Sequence, residues 1–293
     1  MVGVALVVVL VLGVVMALIA DAKLARVDAT PADKVPNTAG MNWLLVGSDS
    51  RQGLSDGDAE RLGTGGDMGT GRTDTIMMVH IPTFGGKATL MSIPRDSYVD
   101  IPGQGKDKIN AAFAIGGPEL LVDTVQQNTG LRVDHYAEIG FGGFAGVVDA
   151  LGGVDICVKE PINDPLAHID LQPGCQSMDG PTALGYVRTR ATAQGDLDRV
   201  QRQREFFSAI MAKISSPGTV LNPFKSVGLV NELSSTITVG KGDHVWNLAS
   251  LALAMKGDPK NETVPVGGFQ STDVGSVVLW DEQGSQDLFN SLK

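Results

Sequence analysis

Five of the chain's eleven arginines fall between Arg188 and Arg204, with no lysine among them, in a protein whose formal net charge is −10. A guanidinium presents a planar fork that grips phosphate oxygens in pairs, whereas an ammonium is a point charge. The segment VRTRATAQGDLDRVQRQR therefore reads as one wall of a phosphate pocket. The competing reading is a solvated helix face, or pairing with Asp196 and Asp198, for which a mixture of lysine and glutamate would be the usual composition. A second charged set earlier in the chain, Asp49, Arg51, Arg72, Asp74, Arg95 and Asp96, favours the pocket.

The elements that must carry these residues follow from the apolar pattern. Runs at 42–46 (NWLLV), 75–81 (TIMMVHI) and 88–93 (ATLMSI) read as strands, and Phe84-Gly85-Gly86 turns between the last two. In an antiparallel hairpin the start of one strand lies beside the end of its partner, which puts Arg72 and Asp74 next to Arg95 and Asp96. If the first strand runs parallel to the third, Asp49 and Arg51 reach that same edge, where open α/β sheets usually bind ligands.

Helical spacing then spans 117–129, a strand 136–141 leads into a helix at 143–151, and Asp179 followed by Pro181 starts a helix reaching Tyr186. Asp196 starts another, ending near Ser215. Arg199, Arg202 and Gln203 share one face of it; Val200, Phe207, Ile210 and Ile214 mark the buried face, so the arginines are expected to point away from the core. The first turn of that helix also offers free amides and the positive dipole end to a phosphate.

At 293 residues, 43% hydrophobic, with mean hydropathy +0.08 and pI near 4.8, the chain suits one large α/β domain or two small ones, and its acidity argues against a nucleic-acid partner. Residues 1–20 carry no charge and match the roughly 30 Å hydrocarbon layer at 1.5 Å per residue, so they are expected to be a single transmembrane anchor, with a signal peptide or a buried helix as alternatives. Residues 21–40, with Pro31 and Pro36, read as a tether before a domain over 41–293. Lys23 and Arg26 follow the apolar run and, taken literally, would hold the domain in the cytoplasm; Asp21 and Asp28 flank them, and the extracytoplasmic side is preferred. Cys157 and Cys175 are the only cysteines and fit one disulfide in an oxidising compartment, against two unpaired buried thiols.

Six motifs in order, GSDSR (47–51), GRTDT (71–75), SIPRDSYVDIPG (92–103), DKINAAF (107–113), YVRTR (186–190) and GDLDRVQRQR (195–204), together resemble the LytR-CpsA-Psr family. The resemblance covers about 41–216, and the tail ending GSVVLWDEQGSQDLFNSLK resembles the end of that domain. It implies an α/β fold, an α/β/α sandwich around a mixed β-sheet, in a membrane-anchored extracytoplasmic phosphotransferase that moves a glycan from a polyprenyl-pyrophosphate carrier to peptidoglycan. It further implies that Asp49 and Asp74 hold Mg2+ and that Arg72, Arg95, Arg188, Arg190, Arg199, Arg202 and Gln203 grip the pyrophosphate, with Arg95, Asp96 and Arg199 the expected catalytic set. For the two aspartates the alternative is ordinary pairing with Arg51 and Arg72. Asp96 or Asp196 is the candidate general base.

The implied lipid tunnel would be lined by Phe141, Phe144, Val147 and Val148, which at spacings of three and four also suit plain core. No GxSxG elbow is present, and GDMGTGR (66–72) lacks the lysine and hydroxyl of a P-loop. The rival functions are hydrolysis of a polyprenyl pyrophosphate and non-catalytic lipid binding or regulation. Arabinogalactan, teichoic acid and capsule carriers all share the pyrophosphate; the cysteine pair and composition lean toward arabinogalactan.

Overall fold

The computed structural model describes residues 2–32, 35–49, 56–62, 64, 73–191, 196–220, 222–256 and 259–293. Helix α1 (Val2–Lys23) leads into strand β1 (Ala25–Val27), followed by β2 (Met41–Ser48), α2 (Asp56–Arg61), β3 (Thr73–Ile81) and β4 (Thr89–Ile93). The ribbon β5 (Tyr98–Ile101) and β6 (Gly105–Lys108) precedes α3 (Ile109–Thr129), β7 (His135–Ile139) and α4 (Phe141–Ala150). Four short strands follow, β8 (Val154–Val158), β9 (Ile162–Asp164), β10 (Ile169–Leu171) and β11 (Gly174–Met178), then α5 (Gly180–Arg188) and α6 (Asp196–Ile214). The chain closes with α7 (Pro217–Val220), α8 (Pro223–Thr236), β12 (Ile237–Gly240), α9 (Val245–Met255), β13 (Lys260–Thr263), the hairpin β14 (Val266–Thr272) and β15 (Gly275–Trp280), and α10 (Glu282–Ser291).

Seven strands form one mixed sheet in the order β1-β12-β7-β2-β3-β4-β13. β2 pairs antiparallel with β3, and β3 antiparallel with β4, so β2 and β4 run the same way with β3 between them. The expected convergence of their carboxyl ends on one edge holds, without direct pairing. Alternation along these strands divides the apolar residues between two faces. Leu44, Val46, Ile76, Met78, Met91 and Ile93 pack under α3 and α10; Trp43, Met77, Val79 and Leu90 pack toward α6 and α9. A third apolar cluster joins α4, α5 and the short strands to Phe206 and Ile210 of α6.

Several expected boundaries shift. Ala25–Val27, expected in a tether, pairs in parallel with β12 at the sheet edge. The helix expected from 117 begins at Ile109 and is kinked at Gly116-Gly117, where Gly117 has φ +65° and Pro118 restarts it. The strand expected over 136–141 spans 135–139, and Phe141 opens α4. α5 begins as expected: Asp179 accepts a hydrogen bond from the Thr182 amide and Pro181 occupies the first turn. Its first residue, Gly180, must be glycine, because a Cβ there would lie 2.4 Å from the Ala145 carbonyl of α4. That contact seats α5, and hence Arg188, against α4.

Among the described residues no helix is long and apolar enough to cross a membrane. Cys157 and Cys175 face each other across the β8–β11 pair and are disulfide-bonded, on the exposed side of that ribbon.

Candidate functional site

At the carboxyl ends of β2 and β7 a cavity of about 440 Å³ opens between the sheet and helices α4, α5, α6, α8 and α9. One end is polar: Ser48 and Asp74 come from the sheet edge, and Arg188, Arg190, Arg199 and Gln203 from α5, α6 and their junction. The remainder is apolar, with Phe141, Phe144, Val147, Phe206, Ile210 and Leu251 among its walls. Asp74 of the earlier charged set and Arg188, Arg190 and Arg199 of the later one, more than a hundred residues apart in sequence, thus meet in one concavity; Asp49, Arg95 and Asp96 are not among its walls.

Asp74 owes its position to a register irregularity. Gly47 pairs with Thr75 but Ser48 pairs with Thr73, leaving Asp74 as the extra residue of a bulge. A bulge re-aims the side chain it carries. Arg95, just past β4, ion-pairs with Asp74 and holds Asp96 through its Nε at 3.3 Å. Asp96 also pairs with Lys108 at 3.1 Å. Asp74 is therefore paired with Arg95, beyond the two partners weighed from the sequence. Asp49 follows the last residue of β2 at the same edge. Arg72, Arg51 and the Asp196 side chain lie outside the described residues.

The arginines of α6 do not point away from the core. Arg199, Arg202 and Gln203 are only 3%, 7% and 9% exposed. Arg199, Gln203, Phe206 and Ile210 form one stripe at helical spacing and all line the cavity, so the inward face of α6 is cationic at its start and apolar beyond. Of Val200, Phe207, Ile210 and Ile214, expected to be the buried set, Ile210 is buried and the other three are half-buried. The inward face of α6 is charged because it borders a cavity that receives charge, where a buried face need not be apolar.

Arg202 has a different task from its neighbours. Its Nε donates to the Tyr186 carbonyl at 3.2 Å and its Nη2 to the Thr189 carbonyl at 2.5 Å, closing the end of α5, and it is not in the cavity wall. Arg202, expected to grip the pyrophosphate, is placed to cap α5, since helix-terminal carbonyls need donors. Burial lowers its pKa from the ordinary value. Gln203 Nε2 makes a similar bond to the Val187 carbonyl at 3.3 Å.

Arg188 donates to the Leu62 carbonyl at 3.3 Å and stacks 4.7 Å from the Phe141 ring centroid. Between Arg188 and exposed Arg190, Thr189 is pinned by its hydroxyl to Asp164 at 2.6 Å. Burial raises the Asp164 pKa, but hydrogen bonds from Thr189 and the amides of Ala167 and Leu166, with the nearby Arg188 charge, outweigh it and leave a net lowering. Asp164 had no motif to announce it. Neither did Glu138, which lines the cavity from β7 and accepts from the Tyr136 hydroxyl at 2.9 Å. Burial, then Glu138, raises the Tyr136 pKa.

Of the expected lipid-facing residues, Phe141, Phe144 and Val147 line the cavity; Val148 does not. Val148 is wholly buried in the α4–α5 core, because consecutive helical positions are about 100° apart and only Val147 falls on the cavity side. Phe144 and Phe206, both in the cavity wall, pack with ring centroids 4.7 Å apart.

Among the described residues no group of three or more His, Cys, Asp or Glu could enclose a metal. Mg2+ needs only one or two carboxylates when phosphate oxygens complete its shell, and Asp49 and Asp74, at one sheet edge, are the two carboxylates that would hold it. The hydroxyls of Ser48, in the cavity wall, and of its cross-strand partner Thr73 are buried and have no hydrogen-bond partner among the described residues.

Comparison with known proteins gives a concordant result. The LytR_cpsA_psr family model matches residues 15–288. The Probable cell wall biosynthesis protein LcpB of Corynebacterium glutamicum is 64% identical over 284 residues, covering 97% of this chain and 68% of LcpB. The Cell wall biosynthesis protein LcpA of the same organism is 34% identical over 80% of this chain, which spans 52% of LcpA. A solved structure of TagT bound to LI-WTA superposes with a TM-score of 0.67 at 28% identity, covering 92% of this chain and 96% of TagT.

Proposed function

The chain belongs to the LytR-CpsA-Psr family, and from that premise we propose that it is a phosphotransferase of cell-wall assembly, moving a glycan phosphate from a polyprenyl-pyrophosphate carrier to a peptidoglycan sugar hydroxyl. One observation carries this reading: a single cavity is cationic at one end and apolar along the rest, which suits a ligand that is a diphosphate with a long hydrocarbon attached. The ligand of TagT, LI-WTA, suggests by analogy a glycopolymer carrier, and arabinogalactan is the polymer favoured here. Anchoring by α1, with the domain on the extracytoplasmic side, is part of the same proposal.

Arg188, Arg190 and Arg199 would neutralise the diphosphate, and Gln203 would donate to one of its oxygens. Arg95 holds Asp74 in place, acting on the site as a positioning residue, while Asp96, held by Arg95 and Lys108, fixes Arg95 in turn. Mg2+ bound to Asp49 and Asp74 would supply further charge neutralisation on the phosphate oxygens. The acceptor oxygen bonds to the glycan-side phosphorus as the bond to the bridging oxygen breaks; the hydroxyl proton passes to the phosphate oxygen released, and polyprenyl phosphate departs along the apolar end. Such catalysis is mainly positioning and charge stabilisation, which agrees with an arginine-dominated site. The phenylalanines beyond it would exclude water, favouring transfer over hydrolysis.

The test is turnover of a polyprenyl-pyrophosphate-linked glycan by the full chain, with and without peptidoglycan acceptor. Glycan recovered covalently on peptidoglycan supports transfer. Polyprenyl phosphate released at the same rate without acceptor marks a phosphatase, and no release in either case marks a lipid-binding protein.

A further inference from the structure

Helix α9, sequence VWNLASLALAM, has no charged residue in a chain that is 19% charged. One of its faces is accounted for: Leu248, Leu251 and Ala252 line the cavity. The opposite face is not. Trp246, Ala249, Ser250 and Leu253 recur at spacings of three, four and seven and are all exposed, Trp246 by 51% and Leu253 by 71%. A helix uncharged all round, with a large apolar residue at each end of its exposed face, belongs against a core or lipid. At 11 residues it is about 16 Å long, too short to span the hydrocarbon layer of roughly 30 Å, so it can only lie along a surface.

The joint with α1 says which surface. Asp21, near the end of α1, accepts a hydrogen bond from the Val245 amide at 3.0 Å and pairs with His244 Nδ1 at 3.0 Å. α9 therefore starts where α1 ends, and the two helices touch. Val14, Leu18 and Ile19 of α1 are exposed and apolar, as Trp246 and Leu253 of α9 are, and the polar joint of Asp21, His244 and Arg26 lies between the two apolar stretches. Trp246 stacks on His244 with ring centroids 4.2 Å apart, an apolar ring beside a polar one, as suits the headgroup level of a bilayer. Exposed Lys256 follows the helix and can extend its ammonium toward lipid phosphates.

We propose that α9 lies in the interface of the bilayer that holds α1, with Trp246 and Leu253 in the headgroup–acyl boundary. The helix is then a one-helix-thick partition between membrane and cavity, and the carrier's hydrocarbon passes beside it without crossing water. This rests on reading α1 as the anchor and the cavity as lipid-binding. The occupant is a lipid surface, because α1 fixes the outer face of α9 beside whatever layer α1 enters.

The test uses the full chain in vesicles of phosphatidylcholine and phosphatidylglycerol whose acyl chains are brominated near the headgroup, reading tryptophan emission against unbrominated vesicles. Trp43 is fully buried and Trp280 is half-buried under Phe289, so both serve as internal references. Brominated lipid should quench the wild type, the quenching should be lost in Trp246→Phe, and it should persist in Trp280→Phe. Equal quenching of wild type and Trp246→Phe, or none in either, overturns the proposal, including the case where a protein surface covers α9. Depth quenching needs no turnover, so it fails or succeeds independently of the transferase assay.

Discussion

The guanidinium of Arg188 lies 4.7 Å from the centroid of the Phe141 ring, so the first cation of the polar end rests on the first aromatic wall of the apolar end. A cation over an aromatic face is worth roughly 0.5–2 kcal/mol, more when desolvated. Phe141→Ala should therefore loosen Arg188 and lower kcat/KM for the lipid-linked donor by about tenfold, whereas Phe141→Tyr should keep most of it. Arg188→Lys should recover only part of the loss seen in Arg188→Ala, because an ammonium cannot form the planar two-point grip. Steady-state kinetics on the four variants check this.

Arg199 and Arg202 are three residues apart and both buried, yet they should fail in different ways. Arg202→Ala deprives the Tyr186 and Thr189 carbonyls of a charged donor, and should cost on the order of 3 kcal/mol of stability. Arg199→Ala should leave the urea midpoint near that of wild type and lower turnover by at least about a hundredfold, as loss of a transition-state charge partner does. Urea unfolding and kinetics on the same two proteins separate the roles.

Asp49→Asn and Asp74→Asn should each shift the magnesium titration of activity to higher concentration, since one carboxylate of a two-carboxylate site is removed. Asp74→Asn should also release Arg95, its partner. A magnesium midpoint unchanged in both variants would remove the metal from these residues.

The lowered pKa of Asp164 gives a pH signature. A carboxylate depressed in the folded state adds stability above its unfolded value, near 3.8, and that stability is lost as pH falls through the folded value. Asp164→Asn should thus destabilise the protein at neutral pH and flatten the acid limb of its stability curve below about pH 4. Thermal melts of both proteins across that range provide the comparison.

Reduction of Cys157–Cys175 frees a loop whose ends are 18 residues apart. The chain-entropy treatment assigns such a crosslink about 3 kcal/mol. The double variant Cys157→Ser/Cys175→Ser should lose stability of that order and keep donor binding, because the bond lies on the exposed side of the β8–β11 ribbon, away from the cavity wall.

Much of the site was legible before any coordinates. Strand alternation and the Phe84-Gly85-Gly86 turn located Asp74 and Arg95 on one edge, and the Asp179-Gly180-Pro181 cap located α5. The bulge at Asp74 was not legible, because it is a difference of one residue between two ladders. Nor was the inward direction of Arg199: apolar periodicity marks a core and is silent about a cavity that admits charge. Val148 and Arg202 were misplaced for related reasons, one by a 100° step around α4, the other because the carbonyls it caps become neighbours only after α5 and α6 pack. Asp164 and Glu138 act through contacts with residues in other elements or across a pleat, which no local motif records.

The proposed function requires the cationic end and the apolar end to hold one molecule. Its most direct test is the affinity of the full chain for polyprenyl diphosphates of short and long chain, with inorganic pyrophosphate as reference, in wild type and in Ala252→Trp, which fills the apolar end. The long chain should bind wild type at least about a hundredfold more tightly than the short one, by burial of its extra methylenes. Ala252→Trp should abolish that advantage and leave pyrophosphate unaffected. Equal affinity for both chain lengths in wild type, or an advantage that survives Ala252→Trp, would contradict it.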